Sequence, residues 1–226
     1  MSSAHLYPSE MILWGGTGQA KVLNPIIEHF GSRVVAVFND FPDAKPPLLG
    51  VPLFIGAGAF KRWIRGKDPS KLGFAIAIGN PHGRVRLKLH DFLVQAGLTP
   101  VTVVHPTAWV APNAVLGEGV QVMAGAIIQA EARIGRQCII NTNASVDHED
   151  VLEEGSEIAP GATLCGSVKI GVNAWICAGA VVKPFVTVGA DAVVGAGAVV
   201  IRDVPAGVTV AGIPAKPIRK RVKAAR

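Results

Sequence analysis

Asp147-His148-Glu149-Asp150 sets one imidazole among three carboxylates. An imidazole can accept a proton near neutral pH, and an adjacent carboxylate fixes its tautomer and raises its basicity. A histidine on a turn is commonplace; three flanking carboxylates single out His148 as a candidate general base. A second cluster carries different chemistry. The apolar run MILW (11–14) leads into Gly15-Gly16-Thr17-Gly18-Gln19-Ala20-Lys21, and a helical pattern follows through Val22, Ile26, Ile27 and Phe30. A strand, a glycine-rich turn, a helix and a further strand ending at Asn39-Asp40 make a unit laid out as in a nucleotide-binding fingerprint.

The residues around His148 belong to a repeat. From Val110, every sixth residue through Val200 is Val, Leu or Ile, without an insertion. Four residues after each, the side chain is usually small, as in Ala114, Ala126, Ala144, Ala162 and Ala180. Neither a helix period nor simple alternation yields this pattern. A hexapeptide period does, with a short strand and a turn per hexad and three hexads to each triangular coil. The aliphatic residues point inward and the small ones share the narrow interior. His148, two positions after inward Val146, is therefore outside the core.

Three hexads per coil place stacked positions eighteen residues apart. Over His148 this puts Gly166, whose bare backbone could offer an N–H to a developing oxyanion. Ala178 and Ala196 form another such column, and small residues there leave a groove for an extended pantetheine arm. Cys165 sits beside Gly166, where packing is its expected role.

The first hundred residues read as a small α/β domain with a parallel sheet. Expected strands are MILW, 33–38 (ending at Asn39-Asp40), 51–55, 74–78 and 101–104. Expected helices include 58–64 and an amphipathic 84–96 with Val85, Leu89, Phe92 and Leu93 on one face. The hexads begin after His105-Pro106, which divides the chain into 1–104 and 105–226. The α/β domain is expected to cover one end of the solenoid and the Gly212-Ile-Pro-Ala-Lys-Pro segment the other, since its ends would otherwise expose unpaired backbone, and a short basic helix at 218–225 is expected to follow.

Apolar residues make up 50% of the 226 but aromatics only 6%, as expected of an aliphatic solenoid core. Trp175 and Phe185 fall off the inward phase and should face outward or a partner. The net charge of +6 owes much to the final Arg219–Arg226 stretch and suits polyanionic ligands such as nucleotides. No aromatic-plus-basic stripe points to nucleic acid. Three cysteines without a CxxC pair argue against disulfides or a zinc ribbon, and Cys138 lies on the small inward phase. MSSAHLYPSE has no basic-then-apolar signal pattern and no stretch reads as a membrane span, so a cytoplasmic protein without membrane insertion is expected.

The hexads, His148-Glu149, Ile158-Ala-Pro-Gly-Ala and Gly212-Ile-Pro-Ala-Lys resemble bacterial hexapeptide acyltransferases with a left-handed parallel β-helix. The glycine-rich turn, Asn39-Asp40, and Ala77-Ile78-Gly79-Asn80 followed by Arg84 narrow the resemblance to the NeuD/PglD family of nucleotide-sugar acetyltransferases, over nearly the whole chain. The resemblance implies a Rossmann-like N-terminal domain followed by the β-helix, in a homotrimer with active sites between neighbouring prisms. It implies acetyl-CoA along the groove, no metal, and a nucleotide-linked amino sugar on the N-terminal domain. By resemblance His148 is the base toward the sugar amine, Glu149 orients it, and the Gly166 amide stabilises the tetrahedral intermediate. Thr17, Gly18, Gln19, Asp40, Gly79 and Asn80 match substrate positions; Asn141, Glu157, Ala178 and Ala196 match positions near the cofactor. Gln19 and Glu157 stand where family members often carry histidine.

The resulting expectation is an acetyl-CoA-dependent N-acetyltransferase acting on a nucleotide-linked 4-amino-4,6-dideoxy sugar. A sugar O-acetyltransferase of the same family, of the sialic acid type, is the near alternative. A dinucleotide enzyme is disfavoured because Lys21 replaces the third glycine and the domain is too short for two mononucleotide halves. A zinc hydration catalyst needs three converging histidines, and the solenoid has only His148. A non-enzymatic trimeric scaffold explains the hexads but neither the His148 cluster nor the glycine-rich turn.

Overall fold

A computed structural model describes residues 7–79 and 81–218; Asn80 and nearly all of the expected C-terminal basic helix lie outside the described residues. The N-terminal part is a parallel five-stranded sheet of order β3-β2-β1-β4-β5. Its strands are β1 (Glu10–Trp14), β2 (Arg33–Asn39), β3 (Leu53–Ile55), β4 (Leu72–Ile76) and β5 (Thr99–Pro100). Helices α1 (Gly18–His29), α2 (Gly56–Trp63) and α3 (Gly83–Gln95) connect them. Continuous apolar runs such as MILW suit a sheet covered on both faces. Gly31 and Gly97, both at positive φ, follow α1 and α3 and let the chain turn back.

Beyond β5 the chain becomes a left-handed parallel β-helix of two-residue strands in three parallel stacks. The stepped aliphatics from Val122 to Val200 are buried, and the alanines four residues later share the same core. Cys138 is buried among them, while Phe185 is exposed and Trp175 half-buried. Of the strand expected over 101–104 only the second half forms: β6 (Val103–Val104) pairs with Gln121-Val122 as the first rung of the prism. At the far end, Thr209–Ala211 joins the stack, and Lys216–Pro217 returns antiparallel to it as a cap.

Some expected bounds shift: the second helix, α2, begins two residues and ends one residue before 58–64, the strand expected over 51–55 shortens to Leu53–Ile55, and the one expected over 74–78 falls at Leu72–Ile76. In α3 the fully buried polar residues are Arg86 and His90, whereas Val85 is 41% exposed. The amphipathic pattern marks only the face toward the sheet. A second face of α3 is buried against the prism, and polar groups can be buried there because prism carbonyls meet them.

Candidate active site

His148 stands on a prism corner with its side chain 57% exposed. Its Nδ1 lies 3.1 Å from a Glu149 carboxylate oxygen, which Ser167 Oγ also approaches at 3.4 Å. With Nδ1–H donating to that carboxylate, the basic lone pair sits on Nε2. The imidazole lies over Gly166: a Cβ built there would come within 2.9 Å of Nε2. Gly166 holds φ +99, one position before the left-handed residue that turns this corner, Ser167 at φ 51. Its N–H has no hydrogen-bond partner among the described residues. The neighbouring Cys165 thiol is pushed up by burial and by Asp147 and Asp150, which disfavours its thiolate. His148, Glu149 and Gly166 are thus brought together, with an open amide beside the ring.

A cleft of about 400 Å³ opens at the carboxyl ends of the N-terminal strands, lined in part by Gly16, Thr17, Asn39, Asp40, Gly79 and His82. Ligands of parallel α/β sheets bind at this edge. Gly15 has φ +117 and a Cβ would sit 2.3 Å from the Ala77 carbonyl oxygen, so only glycine lets β1 turn against the end of β4. Trp14 Nε1 donates to Asp40 at 3.2 Å and holds that carboxylate at the rim. Of the sequence-derived substrate residues, Thr17, Asp40 and Gly79 line the cleft. Gly18 and Gln19 lie outside its lining; the Gln19 amide donates to Gln121 Oε1 at 2.7 Å, and Gln121 donates to Ile76 O at 2.7 Å.

Glu157 connects the cleft to the prism. It is almost fully buried, accepts from Asn141 Nδ2 at 3.2 Å, and lies 3.9 Å from where a Gly79 Cβ would stand. Arg86 is the strut beneath. Its guanidinium donates to Ile78 O at 3.0 Å, Gln137 O at 2.9 Å and Gly155 O at 2.7 Å, with Glu157 nearby to offset its burial. Above it, Arg84 makes a bidentate pair with Asp191. Sequence reasoning cited Arg84 but missed Arg86, Gln121 and His82. Arg86 and His90, four apart on α3, were the available signal. Ala178 and Ala196 are exposed on another corner, and a Cβ added at the adjoining Gly179 or Gly197 meets nothing within 4 Å, so that column is open. Among the described residues no three His, Cys, Asp or Glu side chains converge to hold a metal, and no helix is long and apolar enough to cross a membrane.

No family model matches the chain. It is similar to a GDP-perosamine N-acetyltransferase of Escherichia coli, 34% identical over 152 residues covering 65% of this chain and 68% of that protein. Among solved structures it resembles a histidine-to-alanine variant of GDP-perosamine N-acetyltransferase from Caulobacter crescentus, in complex with CoA and GDP-perosamine. The TM-score is 0.85 and the identity 37%, covering 93% of this chain and 97% of that one. The acetyltransferase domain of PglB from Neisseria gonorrhoeae superposes with TM-score 0.83 at 31% identity, covering 93% and 100%. The chain belongs to the NeuD/PglD-like family of hexapeptide-repeat acetyltransferases. As a member of that family it is an enzyme, an acyltransferase. The family fold places the open Ala178–Ala196 column and the His148 corner on one β-helix, and the cleft on the domain that α3 clamps against it.

Proposed function

We propose that the chain transfers the acetyl group of acetyl-CoA to the amine of a nucleotide-linked 4-amino-4,6-dideoxy sugar, with His148 as general base. The observation that carries the reading is the His148–Gly166 pair. It sets a basic ring nitrogen, oriented by Glu149, beside an open backbone N–H. Direct transfer then needs no covalent enzyme intermediate. The neutral amine attacks the thioester carbonyl while His148 Nε2 takes the amine proton. The oxyanion that forms accepts from the Gly166 N–H. Collapse breaks the C–S bond, and the imidazolium returns its proton to the CoA thiolate. A positioned base contributes roughly 10²–10⁴-fold, and an oxyanion donor about 10²–10³-fold.

The cleft is the proposed seat of the nucleotide-sugar, with Thr17, Asp40, Gly79 and Asn80 holding it and Gly18 and Gln19 supporting the turn. The relatives crystallised with GDP-perosamine support an amino-sugar substrate. The open column at Ala178 and Ala196, ending near Asn141 and Glu157, is the proposed bed of acetyl-CoA; the relatives bound to CoA and acetyl-CoA support that donor. His148 lies on one prism corner, whereas the domain that carries the cleft docks through α3 against another. One hexad separates His148 from Glu154-Gly155, against which α3 packs. At about 3.3 Å per extended residue that face is too wide for a proton transfer. A homotrimer in which one protomer's His148 meets a neighbour's cleft removes the gap. The cytoplasm, where acetyl-CoA and nucleotide-sugars are made, is the proposed location.

Acetyl-CoA offered with GDP-, UDP- and dTDP-linked amino sugars, and with their hydroxyl counterparts, tests this by thiol release and product mass. Amide formation on one amino sugar is expected. Ester formation on the hydroxyl sugars alone would replace N- by O-transfer, and no thiol release with any of them would end the proposal.

A further inference from the structure

Asp150 is out of place. Four residues after each inward aliphatic, the prism interior holds small or apolar side chains, among them Ala126, Ala132, Ala144, Ala162 and Val168. Asp150 occupies the same phase, is wholly buried, and is the only charged residue there among the described residues. A buried carboxylate is costly unless hydrogen bonds repay its lost hydration. Its rung is the one that carries His148.

The backbone around it departs from the repeat in two places. Elsewhere the residue after the inward aliphatic donates its N–H to the next coil: Gln129 to Val146 O at 2.9 Å, Asn141 to Ile158 O at 2.8 Å, Ala159 to Ile176 O at 2.9 Å. The Asp147 N–H donates instead to Asp150 Oδ2 at 2.7 Å. Strand pairing there shrinks to Ser145 with Thr163, whereas the rung below pairs two residues. Most corners close by an N–H three residues on, as Ala144 to Asn141 O at 3.0 Å and Ala162 to Ala159 O at 3.0 Å; those at Val120, Cys138 and Val186 show no such bond among the described residues. The Val168 N–H donates instead to Asp150 Oδ1 at 2.8 Å. Both diverted donors flank the His148–Gly166 gap. Without the closing bond, the corner after Leu164 is free to swing Gly166 to φ +99 beneath the imidazole.

We propose that Asp150 is a positioning residue that holds this corner open, by drawing off the two backbone N–H groups that would otherwise zip it shut. It touches no substrate; it acts through the spacing of His148 and the Gly166 amide. The inference rests on the roles proposed for those two groups.

Asp150→Ala installs the side chain that the repeat uses elsewhere. The Asp147 and Val168 amides then return to Leu164 O and Cys165 O, and the corner closes. The expected result is a kcat loss of about 10–100-fold, the scale of an ångström of misplacement. KM for acetyl-CoA stays within about twofold and Tm does not fall. A crystal structure of the variant shows Gly166 away from φ +99 and the ladder bond from Asp147 restored. Unchanged kcat beside a strongly impaired His148→Ala variant would overturn the inference while leaving the base assignment intact. So would a Tm loss or misfolding, which marks Asp150 as merely structural. If His148→Ala is itself fully active, the base assignment fails, and the corner geometry alone decides: a Gly166 corner unchanged in Asp150→Ala overturns the role proposed for Asp150.

Discussion

The cleft and the His148 corner are built on opposite plans. The cleft is concave and sits over an aromatic core in which Trp14 packs against Phe38, Phe60 and Phe92. Its described lining comes from one chain. The corner is convex, and its ring and carboxylate are both more than half exposed. Selectivity can be encoded by a cavity; proton transfer and oxyanion stabilisation work best where water is excluded. A convex corner cannot exclude water unaided. The contrast fits the proposed trimer, in which one chain would recognise and a neighbouring copy catalyse.

The strongest test of that division removes the corner chemistry alone. His148→Ala is expected to lower kcat by about 10²–10⁴-fold with little change in KM for either substrate. A circular dichroism spectrum like the parent's would show that the prism survives. Parent-like kcat would return the corner to an ordinary solvated turn. Co-expression sharpens the comparison further. Gly79→Trp fills the cleft and is expected to be inactive, yet mixed assemblies with His148→Ala should recover measurable turnover, because some sites then pair an intact corner with an intact cleft. Recovery no greater than the sum of the separate variants would put both halves in one chain.

Gly166→Ala comes next. A Cβ there enters the imidazole's space and resists φ +99, so a kcat loss of roughly 10–100-fold is expected, with KM for the nucleotide-sugar unaffected. Equal losses in kcat/KM for both substrates with an altered cleft would argue against a role confined to the corner.

The pH dependence of folding separates the two regions again. Burial pushes the Asp150 carboxyl up to about 6, against two opposing backbone N–H bonds. A carboxyl raised on folding favours the native state when protonated. Its stability contribution is therefore present below its unfolded pKa near 4 and is lost as pH rises through about 6. Asp150→Ala should flatten Tm between pH 4 and 7; an unaltered profile would show that this carboxyl ionises as freely as in the unfolded chain. Asp191, at the clamp between α3 and the prism, behaves oppositely. Arg84 and Asn173 hold its carboxyl down at about 2. Its stabilisation is present above about 4 and lost as pH falls through about 2. The pair is exposed, so Asp191→Asn should cost only ~2 °C of Tm or less, the smallest effect of the series. A larger loss in calorimetry would make this ion pair a principal tie between the two parts.

Much of the prism was readable in the residues. The stepped aliphatics and the alanines between them state an inward phase, and a stacking period of eighteen is arithmetic once three hexads close a coil. That arithmetic alone set Gly166 over His148 and Ala196 over Ala178. The glycine-rich turn likewise marked the strand ends where the cleft opens, because Gly15 reports a local backbone demand. Three things lay beyond that reading. Arg86 and His90 are buried only because α3 is gripped from two sides, and a single helix pattern reports one side. Glu157 meets Gly79 only because Arg86 and Gln121 tie the domain to the prism, and such long-range bonds leave no period in the chain. Asp150, visible as one carboxylate among three, acquires meaning only when the backbone bonds it displaces are seen. Periodic neighbours are set by chain geometry, whereas docking and hydrogen-bond exchange are settled by the whole assembled structure.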